Sequence, residues 1–160
     1  MTEAPALEAL IAQHMVTSMK ARDADRLGTL RMIKTALKNK QIDKREALTP
    51  AEEQQVLATM IKQRRDSIEQ FTKGNRPELA AKEAAEITVI EEYLPKALDA
   101  AALGALVDEA IAEQTAAAGQ KPTAKEMGQV MKRVQARIQA SGLRAEGRVV
   151  SEAVKARLAG

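Results

Sequence analysis

Apolar residues recur along this chain every three or four positions, in runs separated by short polar breaks, and that period marks amphipathic α-helices. Leu7, Leu10, Ile11, Met15 and Met19 define a first helix. Arg22-Asp23 interrupts the pattern, and Asp23 is placed to cap a second helix bearing Leu27, Leu30, Ile33 and Leu37. Thr49-Pro50-Ala51-Glu52 is a strong start signal, with Thr49 as cap, Pro50 at the first helical position and Glu52 closing a capping box. The third helix runs through Val56, Leu57, Met60, Ile61, Ile68 and Phe71 and stops at Gly74. Pro77 opens a fourth, with Leu79, Ile87, Ile90 and Leu94. It must end near Tyr93, because Pro95 cannot continue a helix and restricts Leu94.

Leu94-Pro95-Lys96-Ala97-Leu98-Asp99 reads as a boundary between an N-terminal helical domain over 1–96, of about four helices, and a small three-helix domain over 97–160. Asp99 caps a fifth helix through Leu103, Leu106, Val107 and Ile111, and the run Ala116-Ala117-Ala118-Gly119 is expected to fray into a loop. Thr123-Ala124-Lys125-Glu126 is a second capping box. It starts a sixth helix with Met127, Val130, Met131, Val134 and Ile138, for which Gly142 is the stop. A last helix holds Val149, Val150, Val154 and Leu158. No segment alternates as a strand does, so the predicted fold class is all-α.

Composition agrees. The only aromatics are Phe71 and Tyr93, so the core must come from Leu, Ile, Val, Met and Ala, a set that suits helices better than a β-sandwich. Cysteine is absent, which excludes disulfides, thiolate metal ligands and a thiol nucleophile. No apolar run approaches the roughly 20 residues that cross a bilayer. The stretch from Met1 to His14 carries Glu3 and Glu8 where a secretory signal carries basic residues, so a cytoplasmic protein with no membrane partner is expected.

The net charge of +3 conceals an uneven distribution. Val16 to Arg45 holds nine Lys/Arg against three Asp, and Lys121 to Gly160 holds nine against three Glu. The middle is therefore acidic. Two basic zones of this kind are either a polyanion-binding surface or solvated helix faces.

Several strings resemble the YqeY family, stand-alone proteins grouped with the tail domain of the B subunit of tRNA-dependent amidotransferases. They are Arg26-Leu27, Leu30-Arg31-Met32-Ile33-Lys34, Ala36-Leu37-Lys38-Asn39, Ile42-Asp43, Lys62 to Glu69 and Glu91-Glu92-Tyr93-Leu94-Pro95. In the tail they are Lys125, Met127-Gly128, Val130-Met131 and Gly147-Arg148-Val149-Val150. The chain departs from the pattern at Gln135-Ala136-Arg137 and Ser141-Gly142-Leu143-Arg144, ahead of the last helix. The resemblance implies a helical N-terminal domain joined to a three-helix tail. In amidotransferases the equivalent tail grips tRNA away from the reaction centre, so a carbon–nitrogen ligase label attaches to the family by inheritance.

Candidate RNA contacts in the tail are Lys125, Lys132, Arg133, Arg137, Arg144 and Arg148, with Lys155 and Arg157 beyond them. Lys125 and Lys132 are seven apart and expected on one helix face. Arg144 and Arg148 flank the entry to the last helix, whose N-terminal amides also favour phosphate. Gly128, inside the sixth helix, costs about 1 kcal/mol relative to Ala. Either a neighbouring helix packs against it, the favoured reading, or an RNA backbone approaches it; Gly147 poses the same choice.

A second basic face gathers Arg31, Lys34 and Lys38, with Arg64 and Arg65 in the charged string, where Lys62–Asp66 and Arg65–Glu69 pairs read more readily as a salt-bridged surface. With two aromatics there is no platform for stacking unpaired bases, so any RNA recognition should rest on shape and phosphates, as suits tRNA or another structured RNA.

Catalytic machinery is not legible. There is no amidase signature, phosphate loop or His/Cys metal cluster, and Glu91-Glu92 point about 100° apart on a helix. His14, the only histidine, reads as surface or interhelical packing. The expected protein binds RNA as an accessory in tRNA-linked metabolism, with no independent catalysis, cofactor or metal. The alternative is a protein–protein adaptor docking through its charged helix faces.

Overall fold

The computed structural model describes residues 6–159. The N-terminal stretch read for targeting signals therefore lies partly outside it, at residues 1–5. The described residues form seven α-helices: α1 (Leu7–Lys20), α2 (Ala24–Lys44), α3 (Pro50–Lys73), α4 (Pro77–Glu91), α5 (Ala100–Ala118), α6 (Met127–Ser141) and α7 (Gly147–Leu158). They group into two compact units, Met1–Leu94 and Pro95–Gly160.

In the first unit the capping signals act as the sequence proposes. Asp23 accepts from the Arg26 N–H at 3.1 Å, and Thr49 and Glu52 exchange both capping-box bonds, at 3.2 and 2.8 Å. Lys44 adds a bond to Glu52 at 2.7 Å, and with the Thr49 amide it holds that carboxyl below its ordinary range. Helix α2 ends at Arg45, which takes the left-handed conformation (φ 64°) although no glycine marks the stop.

The core of this unit is Ile11, Leu30, Ile33, Leu37, Leu57, Met60, Ile61, Ile87 and Ile90, all at helical spacing. Each such Leu or Ile contributes roughly 1.5–3 kcal/mol by leaving water. Met19, expected on the apolar stripe of the first helix, is instead 50% exposed; Ser18 occupies the buried position beside it. His14 has a partner that sequence alone could not identify, since its Nδ1 lies 2.5 Å from the Tyr93 hydroxyl beyond α4.

In the second unit Leu103, Val107, Ala110, Val130, Val134, Ile138, Val150 and Val154 make a core in which five of the eight buried side chains are valine. The alanine run does not fray: α5 continues to Ala118 and stops at Gly119, whose φ of 77° suits a glycine. The second capping box forms but closes a 3-10 turn, Ala124–Glu126, from which α6 continues. Val149, expected on the apolar stripe of the last helix, is 46% exposed.

Strand-like structure among the described residues is confined to one isolated parallel bridge, Ala97 with Arg144. The Arg144 N–H donates to the Lys96 carbonyl at 3.1 Å, and the Leu98 N–H donates to the Arg144 carbonyl at 2.7 Å.

Candidate binding surfaces

The tail cations divide sharply by what holds them. Arg133 is clasped against α5: its Nε donates to Gln114 Oε1 at 2.8 Å and its Nη1 to Glu113. Arg137 donates to Glu109 and Glu113, each at 2.8 Å. Gln114, itself buried, donates onward to Gln129 at 2.7 Å. Arg157 bonds Asp108 at 2.5 Å from α7. Glu109 and Glu113 lie four residues apart and so share one face of α5, the face turned to α6. Arg137 foremost, with Arg133, holds Glu113 below the ordinary carboxylate range.

Arg144 is occupied differently. Its Nε donates to the Pro95 carbonyl at 3.0 Å, so this side chain helps clasp the 95–98 segment to the loop before α7. Arg148 is exposed at the start of α7, and Lys125 is exposed in the 3-10 turn rather than in α6. The seven-residue spacing to Lys132 is therefore not a repeat along one helix. Lys125, Lys132 and Lys155 are exposed and make no ion pair with a described residue.

The glycines reverse the expectation. A Cβ added at Gly128 would meet nothing within 4 Å among the described residues, and the same holds at Gly147. Close helix packing therefore does not explain Gly128. The close approach is at Gly104 on α5, a position sequence reading passed over, where an added Cβ would stand 2.6 Å from Arg157 Nη2. The signal for it was a glycine four residues before Asp108, in a helix otherwise rich in alanine.

Two members of the second basic face have ion-pair partners. Arg64 is withdrawn from solvent, with its Nε bonded to Glu86 at 2.9 Å and its Nη1 to the Met60 carbonyl at 3.2 Å. Arg65 leans toward Glu91 at 3.7 Å, a cross-helix partner the local pairing scheme did not identify. Arg26 takes Glu92 through two bonds, at 3.0 and 2.8 Å, so Glu91 and Glu92 serve separate arginines.

Arg31, Lys34 and Lys38 remain exposed on α2 and make no ion pair with a described residue. Lys34 and Lys38 also border a cleft, with Glu8 and Glu53 among its other lining residues. No group of three His, Cys, Asp or Glu among the described residues is placed to hold a metal, and no described helix is long and apolar enough to cross a membrane.

The sequence profile of the Yqey-like protein family matches residues 8–158. An uncharacterized protein of Schizosaccharomyces pombe is 33% identical over 92 residues, 58% of this chain and 75% of that protein. Proteins named altered inheritance of mitochondria protein 41, mitochondrial, are also similar. That of Kluyveromyces lactis is 38% identical over 86 residues, 53% of this chain and 46% of its own length. That of Eremothecium gossypii is 31% identical over 123 residues, 75% of this chain and 67% of its own length. The match thus spans under half of one of these mitochondrial relatives and about two thirds of another.

Proposed function

This chain belongs to the Yqey-like protein family, and on that footing we propose that its tail is a surface for structured RNA, with tRNA the leading class of partner. The observation that carries the reading is Gly128. It is exposed, an added Cβ would meet nothing within 4 Å among the described residues, and it costs helix stability relative to alanine. Lys132 follows at i+4 on the same helix and Lys125 precedes it by three, both without an ion-pair partner among the described residues. A bare backbone flanked by two such lysines suits the close approach of a sugar–phosphate chain. Gly147 at the start of α7 is likewise open among the described residues, and Arg148 beside it is exposed.

In this reading Arg133 and Arg137 hold α6 to α5, and the lysines supply the phosphate contacts. The helical domain of 1–96 adds affinity or recruits a protein to the tail domain of 97–160. The protein acts in the cytoplasm without catalysing a reaction of its own, and its link to tRNA-dependent amidotransferases is one of shared tail architecture.

The test is binding of the purified protein to total tRNA across a salt series. Replacing Lys125, Lys132 and Arg148 with alanine should weaken binding and lower the slope of log affinity against log salt by roughly 0.7–0.9 for each phosphate left unneutralised. Unchanged affinity and slope would end the proposal. The second reading, a protein adaptor, is favoured by the exposed Leu143 and Val149 on either side of Arg148 and by the mixed charges along α5 and α6. It becomes the reading to pursue if wild-type protein binds no tRNA at low salt.

A further inference from the structure

Beside α2 in the first unit lies a cleft of ≈ 240 Å³ lined by both lysines and glutamates. Lys34 and Lys38 come from α2, Glu8 from α1 and Glu53 from α3, and Ile11, Leu37 and Leu48 supply apolar lining. We propose that this cleft binds a free α-amino acid. The ammonium would lie between Glu8 and Glu53, the carboxylate at Lys34 and Lys38, and the side chain against the apolar lining. This inference is independent of RNA binding by the tail.

The four charges do not neutralise one another: Lys34, Lys38, Glu8 and Glu53 share the cleft, yet none makes an ion pair with a described residue. Lys44 and Glu52, at the neighbouring α2–α3 corner, close to 2.7 Å and demonstrate what an unhindered pair looks like in this protein.

The carboxylates point the same way. Burial first, and then the charge of Glu8, push the Glu53 carboxyl above its ordinary range, with no lysine among the causes. Two like charges held together beside apolar side chains are relieved when a cation enters between them. A ligand bearing only a cation would leave the lysines unmatched, and one bearing only an anion would leave the glutamates so. A zwitterion matches both.

Size and lining narrow the class. The volume is below that of most drug-sized pockets and suits a single amino acid, and the apolar lining favours an uncharged side chain. Gln41 on the lining offers both a donor and an acceptor to an amide or hydroxyl side chain.

The experiment is a titration of the full 15N-labelled chain with L-leucine, L-glutamine and L-glutamate, followed at the amide signals of Leu37, Gln41 and Leu48. Leucine or glutamine should shift these signals saturably at about millimolar concentration, and glutamate more weakly. N-acetyl-leucine, which lacks the ammonium, and leucine amide, which lacks the carboxylate, should each bind about tenfold more weakly or worse. The Lys34→Ala/Lys38→Ala variant and the Glu53→Gln variant should each lose the response with their helical content unchanged, whereas Arg31→Ala should keep it.

Absence of a saturable shift with any amino acid overturns the proposal. So does equal binding of the two blocked derivatives, or adenosine monophosphate displacing leucine from the same signals. None of these outcomes bears on the tail, whose tRNA binding is read separately from Lys125 and Lys132.

Discussion

The guanidinium of Arg157 lies across the bare backbone of Gly104, where an added Cβ would stand 2.6 Å from its Nη2, and from there its Nε bonds Asp108. A glycine in the first turns of α5 thus makes room for a side chain from α7. Gly104→Ala should gain up to about 1 kcal/mol in helix propensity and lose most of it by displacing Arg157. In the Arg157→Ala background the same substitution should stabilise by about 1 kcal/mol. Urea unfolding of the four members of this double-mutant cycle tests the coupling, and strict additivity would count against it.

Two carboxylates near the end of α4 should differ in weight. The Arg64–Glu86 pair is withdrawn from water, with side chains 11% and 13% exposed, whereas Arg26–Glu92 is 27% and 45% exposed. Glu86→Ala removes the carboxylate partner of a guanidinium largely withdrawn from water, leaving it the Met60 carbonyl, and should destabilise the first unit by about 3 kcal/mol. Glu92→Ala should cost less than about 1 kcal/mol despite the two bonds it breaks. The comparison is made from urea midpoints followed at core signals such as Ile33 and Leu57; equal shifts would show that burial does not set the ranking.

Acid should loosen the tail through Glu113. Arg137 and Arg133 hold its folded-state proton affinity below that of the unfolded chain, which lies near ~4.3. The stabilisation is therefore complete above that unfolded value and disappears as pH falls through the lower folded one. Melting followed at Val134 and Val150 should drop more steeply with acid in the wild type than in Glu113→Gln. Parallel pH profiles for the two proteins would remove Glu113 from the account.

Gly128 separates stability from binding. With nothing within 4 Å of its would-be Cβ, Gly128→Ala should stabilise the tail by about 0.5–1 kcal/mol. The same change should weaken tRNA binding if a phosphate backbone reaches that position. A thermal melt and a tRNA titration on one protein sample decide both halves, and a variant that is more stable with unchanged tRNA affinity would leave the glycine unexplained.

The helices were largely legible in the sequence because their signals are local. Asp23, Thr49, Pro50, Pro77 and Asp99 each act within a few residues of themselves, and their positions agree with the helix starts. The misreadings lie where a local pattern is degenerate. Met19 and Val149 fit a helical period, but a period cannot tell how wide the covered face is. Ala116 to Ala118 carry no breaker until Gly119, and alanine extends a helix readily.

The candidate surface was legible only as an inventory of cations. Their pairing was hidden because partners such as Glu109 with Arg137, or Arg64 with Glu86, are more than 20 residues apart. By itself, then, the sequence determined the all-α class, most helix starts, most apolar core positions and the uneven distribution of basic residues, since each follows from side-chain chemistry repeated at short range. The tertiary structure decided which charges are available to a partner. A cation's availability depends on the acid that packing brings within hydrogen-bond reach, and that distance is a property of helices meeting in space.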